Sequence, residues 1–291
     1  MTSLATWFAF SPLWQIAIVI FVGMTCAAAI GYRLRSQGAR DGGSDSGGEE
    51  GFMVSAVMGL LALLVGFTFS LAIDRYDTRR GRVLDDANAI GTAYLQTQLL
   101  GAPHRARLSQ LLSDFTDNRL AIGNVGPGQR QSALIARNDR LITDLWTATV
   151  AAYPSIRQVD FSSTYVGSMN HLIDMDAARK TSRTAHVPPA VLVVLFGYQF
   201  IAAGVMGYVL VGRRGRQAVG LLFLLFGTSL LLIIDIDRPT SGLITESQQP
   251  MVDLQASIRA QPPAIFDRFN TPELNALPHS QPAIRSGHTQ Q

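Results

Sequence analysis

Between Phe52 and Ile73 the chain carries neither a charged residue nor a proline. At a helical rise of 1.5 Å per residue that run is roughly 33 Å long, enough to cross the hydrocarbon core of a bilayer. Twelve of its positions are Leu, Ile, Val or Phe, a gross gain of about 4 to 7 kcal/mol on the insertion scale. Asp74, Arg75, Asp77, Arg79, Arg80 and Arg82 follow at once, with no proline before Pro103. The pattern predicts a helix that spans a membrane and projects onward into water, with a dense charge cluster at the boundary.

Three more apolar runs surround it: Leu13 to Tyr32, Ala190 to Val211 and Ala218 to Ile234. With 47% hydrophobic and only 15% charged residues, such a chain of 291 residues has too apolar a surface for a soluble protein. The first run is read as a retained span, because Met1 to Trp14 lacks the positive region of a cleaved signal. The expected organisation is 1–50, the first transmembrane helix and a flexible Gly/Ser/Asp connector; 51–260, holding spans 52–73, 190–211 and 218–234 with extramembrane helices in 74–187; and 261–291, a Pro-rich disordered tail. Only six residues, Gly212 to Gln217, separate the last two runs, so they must form an antiparallel hairpin. The fold class predicted is all-α integral membrane, with four transmembrane helices and a helical extramembrane domain between the second and third.

Within 74–187 apolar residues recur at three and four, as in Leu108, Leu111, Leu112 and Phe115, and in Val166, Met169 and Ile173. Pro103, Gly123 to Gly128 and Pro154 punctuate the pattern, which gives three or four amphipathic helices. Four spans put this segment and both termini on one side. The short connections hold six arginines, and the ends of the long segment hold seven basic residues. Because the positive-inside rule weights short loops more, the charges slightly favour an exoplasmic long segment. Glycines paired at seven (Gly59 and Gly66, Gly197 and Gly204, Gly220 and Gly227) suggest close helix packing, although glycine is common in spans generally.

The net charge of +3, from 24 basic and 21 acidic residues, implies no nucleic-acid-binding field. Cys26, the only cysteine, sits in an apolar run and is read as a packing residue; it excludes an intrachain disulfide. The five histidines are dispersed, and there is no phosphate-binding glycine loop and no nucleophile elbow. No enzyme activity, cofactor or metal is expected. Leu60, Leu64, Phe67 and Leu71 share one helical face; in a monomer that face packs or meets lipid, and in a ring of subunits it would line a pore as an apolar neck. Asp74, Arg75, Asp77 and Arg79 at its mouth, with Asp235, Asp237 and Arg238 closing the fourth span, form either a pore mouth or an interfacial belt. A salt bridge from Asp237 to Arg75 or Arg79 is the expected joint between the two spans.

Several ordered motifs carry a resemblance. Gly66 to Ala72 (Gly-Phe-Thr-Phe-Ser-Leu-Ala), Leu84 to Tyr94, Met169 to Asp174, His186-Val-Pro-Pro189 and Asp235 to Ile244 resemble the bestrophin-like domain family of bacterial membrane proteins. The likeness runs from about Gly51 to Ile258. Bestrophins proper are pentameric anion channels with four spans, a helical domain between the second and third, and an aromatic neck on the second. The resemblance therefore implies a cytoplasmic long segment, against the charges, and a place in the bacterial inner membrane. Only Phe67 is aromatic on the chosen face and no calcium clasp follows the fourth span, so anion selectivity and calcium gating do not transfer. The expected function is an oligomeric ion channel or pore lined by the second span. The alternative is a non-conducting scaffold or sensor whose helical domain binds a partner. Expected partners are the lipid bilayer, further copies of the chain and inorganic ions.

Overall fold

The long uncharged run and the charged stretch after it form a single helix in the computed structural model, which describes residues 11–38, 47–126, 128–210, 212–238 and 242–269. In chain order the helices are α1 (Leu13–Gly38), α2 (Gly47–Thr97), α3 (His104–Gly123), α4 (Gln129–Ile156), α5 (Phe161–Thr184), α6 (Pro189–Val209), α7 (Gly212–Asp237) and α8 (Gln249–Ala260), followed by a 3-10 turn at Pro263–Asp267. No strand occurs among the described residues. Four helices are long and apolar enough to cross a membrane: α1, α2, α6 (in a stretch that begins in α5) and α7.

The apolar body is built by α1, the first half of α2, α6 and α7. Ile16, Ile20 and Met24 of α1 meet Leu61 and Ala72 of α2, Leu195, Ala202 and Met206 of α6, and Leu230 and Ile233 of α7. Helices α1 and α6 lie closest. A Cβ on Gly31 would fall 2.0 Å from the Gly204 carbonyl oxygen, and one on Gly207 would fall 2.1 Å from that of Ala28. In lipid, burial of apolar surface does not separate partner helix from acyl chain, so contact at this range supplies the attraction through dispersion. The period-seven pairs behave unevenly. Gly227 packs on the Phe21 ring, whereas Gly59, Gly66, Gly197 and Gly220 face open space. Cys26 is exposed on α1 and is not a packing residue as expected.

The second half of α2 packs against α5 and α8, and α3 lies between α4 and α8. Their shared core includes Ile90, Tyr94, Leu112, Phe115, Leu145, Tyr165, Met169 and Met251. Three boundaries differ from the sequence reading. Helix α2 begins at Gly47, inside the supposed connector. Pro154 lies inside α4, which ends two residues later; near a helix C-terminus the carbonyl deprived of a donor is one of few left to satisfy. The start of the supposed disordered tail is folded. The Tyr94 hydroxyl donates to the Gln261 carbonyl, and Arg105 donates to the Pro263 carbonyl and pairs with Asp267 at 2.7 Å. Residues 270–291 lie outside the described residues, as do 39–46 of the connector.

Candidate functional site

Helix α2 turns one face to the rest of the chain and leaves the other open over residues 60–88. With 3.6 residues per turn, Leu60, Leu63, Phe67, Ser70, Asp74, Thr78, Gly81, Asp85 and Asn88 fall on one side, and all are exposed. Phe67 is 66% exposed. Of the expected pore-lining residues, Leu60 and Phe67 lie on this face. Leu64 and Leu71 are half-buried shoulders packed on the membrane core. Thr68 is buried and donates to the Leu64 carbonyl of its own helix at 2.8 Å.

The boundary charges divide along the same line. Asp74 and Asp77 are exposed, Arg75 is half-buried, and Arg79 is 2% exposed on the inward side. Arg79 Nη2 donates to the Ile236 carbonyl of α7 at 2.7 Å and Nη1 to the Ala185 carbonyl after α5 at 3.4 Å. Both acceptors lie at helix C-termini, where a cation offsets the dipole and satisfies an orphan carbonyl. Arg79 Nε lies 3.0 Å from Glu246 Oε1. Burial pushes the Glu246 carboxyl up, against the pull of Arg183, Arg79 and Arg179. Burial and the nearby Arg179 guanidinium push Arg183 down to about 10.

The salt bridge expected from Asp237 to Arg75 or Arg79 is not the joint that forms. Asp237 is committed to the start of α6: its Oδ1 accepts from the Val187 N–H at 2.8 Å, and its Oδ2 lies 3.4 Å from His186 Nδ1. That carboxylate, first by its hydrogen bond, raises the His186 pKa. Asp235 instead accepts from the Leu243 and Ile244 N–H groups at 2.7 and 3.0 Å, folding the chain back after α7. A Cβ on Gly242 would come within 2.4 Å of that carboxylate. Arg238 is buried beside Asp235 and Asp237. The span-end motif is thus a set of locks on α6 and α7, and α2 joins it through Arg79.

Sequence reasoning missed a second polar cluster inside the helical domain formed by the second half of α2 with α3, α4, α5 and α8. Arg119 bonds Asp86 through Nε at 2.9 Å and Asp176 through Nη1 at 2.9 Å. Arg179 bonds Asp86 at 2.6 Å and Gln248 at 2.6 Å, and Asn138 donates to Asp176 at 2.9 Å. These side chains tie α2, α3, α4, α5 and the approach to α8, and the four charged groups are almost wholly buried. The available signal was a charge in an apolar-face position, since Arg119 continues Leu108, Leu112 and Phe115, and Asp176 and Arg179 continue Met169 and Leu172. No group of three or more His, Cys, Asp or Glu that could hold a metal ion occurs among the described residues.

A long apolar helix that leaves a bundle of bilayer length and anchors a helical domain defines a class: an all-α membrane protein with a rigid stalk. The Bestrophin-like domain family matches residues 19–251, and the chain belongs to that family. Three crystal structures of a bacterial bestrophin homologue from Klebsiella pneumoniae, each carrying one substitution, share the fold. The first is 14% identical, with a TM-score of 0.64, and covers 85% of this chain and 96% of that one. The second is 14% identical, with a TM-score of 0.61, covering 82% and 98%. The third is 15% identical, with a TM-score of 0.54, covering 84% and 98%. No curated protein matches the sequence.

Proposed function

We propose that the protein is one subunit of an oligomeric ion channel whose path is lined by α2, in the bacterial inner membrane, with α1, α2, α6 and α7 as its four spans. The observation that carries this reading is the open face of α2. It runs unbroken from apolar Leu60, Leu63 and Phe67 to polar Ser70, Asp74, Thr78 and Asp85, so a ring of copies would enclose an apolar constriction leading into a hydrophilic vestibule. Open space beside Gly59, Gly66 and Gly81 leaves room on that helix for a neighbouring backbone. The family match and the fold shared with bestrophin homologues support it.

The vestibule would favour cations. Asp74, Asp77 and Asp85 are exposed on or beside the open face, whereas Arg79 is buried, Arg75 is turned partly inward and Arg82 pairs with Asp85 at 3.4 Å. Arg80 is exposed on the far flank of the helix. A second reading, a non-conducting scaffold, draws on Trp146, Val150 and Tyr153, which stand exposed on α4 where water rather than lipid surrounds the domain. Subunit counting by single-particle imaging, with sodium, potassium and chloride flux in liposomes, separates the two. The channel reading expects a ring with α2 innermost and flux that favours cations. A monomer or dimer without flux would support the scaffold.

A further inference from the structure

The close contact of α1 with α6 leaves a trough on the outside of the apolar body. Because Gly31 and Gly204 present no side chains, the two backbones meet there, and the taller residues on either side, with Met53 of α2, wall a cavity of about 360 Å³. Ala27, Ile201, Val205 and Tyr208 add to a lining that is apolar except for the Tyr208 phenol. All these residues belong to the last turns of α1 and α6 and the first turns of α2, so the trough opens at the end of the body where the two short connections lie.

Positive charge is concentrated at that end. Arg35 Nη1 donates to the Tyr208 and Val209 carbonyls at 3.0 and 3.4 Å, and its guanidinium sits 5.8 Å from the centre of the Tyr208 ring. A cation is therefore held in place at the mouth of the trough. Arg33, Arg213, Arg214 and Arg216, which flank the two short connections, are exposed. Across the two connections the sequence has six arginines (Arg33, Arg35, Arg40, Arg213, Arg214, Arg216) against four carboxylates (Asp41, Asp45, Glu49, Glu50). An apolar slot at membrane depth, capped by net positive charge, matches one amphiphile: a chain that is greasy below and anionic above.

We propose that this trough is a binding site for an anionic phospholipid, with an acyl chain against Gly31, Gly204 and Val205 and the phosphate near Arg33, Arg35, Arg213 and Arg214. Hydrocarbon fills the slot left by the glycines, and each arginine near the headgroup adds attraction that a zwitterionic lipid does not elicit to the same degree. Apart from Met53 the lining comes from α1 and α6, and it includes none of Leu60, Leu63 or Phe67 of the proposed path.

Native mass spectrometry of the detergent-solubilised full-length protein tests it, with dioleoyl phosphatidylglycerol and dioleoyl phosphatidylcholine as probes and inorganic phosphate as competitor. Retention of phosphatidylglycerol should exceed that of phosphatidylcholine roughly fivefold to thirtyfold, the scale expected for one or two arginines at an anionic headgroup. Val205→Trp, or Ile201→Trp should the first variant not elute as the native complex, should lower retention of both lipids by filling the slot. Arg213→Gln with Arg214→Gln should bring phosphatidylglycerol down to the phosphatidylcholine level. Equal retention of both lipids by the native protein, undiminished retention by the folded tryptophan variants, or displacement of the lipid by inorganic phosphate alone would overturn the proposal.

Discussion

The apolar body and the helical domain beyond it are both helical bundles sharing α2, yet they are held by different contacts. In the body the decisive contacts are steric, and Gly31 and Gly207 let α1 and α6 approach to backbone distance. In the domain an apolar core surrounds Asp86, Arg119, Asp176 and Arg179, which are almost wholly removed from water. On the proposed placement, the body in lipid and the domain in water, the difference follows from the solvent. Lipid offers no hydrophobic drive toward a partner helix, so shape decides. Water supplies that drive freely, and the buried ions fix which faces of α2, α3 and α5 meet. Helix α2 passes from one core to the other near Arg79.

The sharpest way to break this contrast is Asp86→Ala. It takes the paired carboxylate from Arg179 and one of two from Arg119, neither of which can shed its charge, and should cost about 3 to 5 kcal/mol. Thermal unfolding of the solubilised protein would read the loss; a cost below about 1 kcal/mol would mean the cluster is well hydrated in solution. Arg79→Met removes a buried cation too, but Glu246, whose carboxyl burial already pushes up, can take a proton. It should therefore destabilise less than Asp86→Ala, and a larger effect would show that Arg79 carries more than its ion pair.

In the membrane body Gly31→Ala drives a Cβ into a backbone carbonyl and should cost about 1 to 3 kcal/mol, as overpacking does. Gly66→Ala meets open space in a single subunit. It should leave subunit stability within about 0.5 kcal/mol while changing assembly, if a neighbouring copy lies there. Gel filtration and thermal melts together separate these outcomes.

The smallest effect belongs to His186. Because Asp237 raises its pKa in the folded protein, the stabilisation is fully present below the unfolded histidine pKa of about 6.5. It is lost as pH rises through the higher folded value. His186→Gln should flatten the dependence of Tm on pH in that window, and an unchanged slope would assign it to another group.

Much of the architecture was legible because apolar runs of bilayer length and the absence of proline before Pro103 depend only on local sequence. The same logic carried α2 past the membrane as one helix. Partners were not legible, since tertiary folding chooses them. Asp237 was expected to reach α2, yet the Val187 N–H at the start of α6 lies closer. Arg79 was identified as a boundary charge, but Glu246 lies 167 positions further along the chain, beyond the reach of any helical periodicity. On α2, Leu64 and Leu71 could be told from Leu60 and Phe67 only after α6 and α7 were in place. Gly31 and Gly207 escaped notice because no regular spacing links them to each other.

The claim on which the functional reading depends is that the open face of α2 borders an ion path. In a Cys26→Ala background, Phe67→Cys reconstituted in liposomes can be labelled with a positively charged methanethiosulfonate, with buried Leu61→Cys as the control. Labelling at position 67 should sharply reduce sodium flux, while the control neither reacts nor changes. Unaltered flux in a protein shown by mass to be fully labelled at that position, or no flux to block at all, would contradict the account.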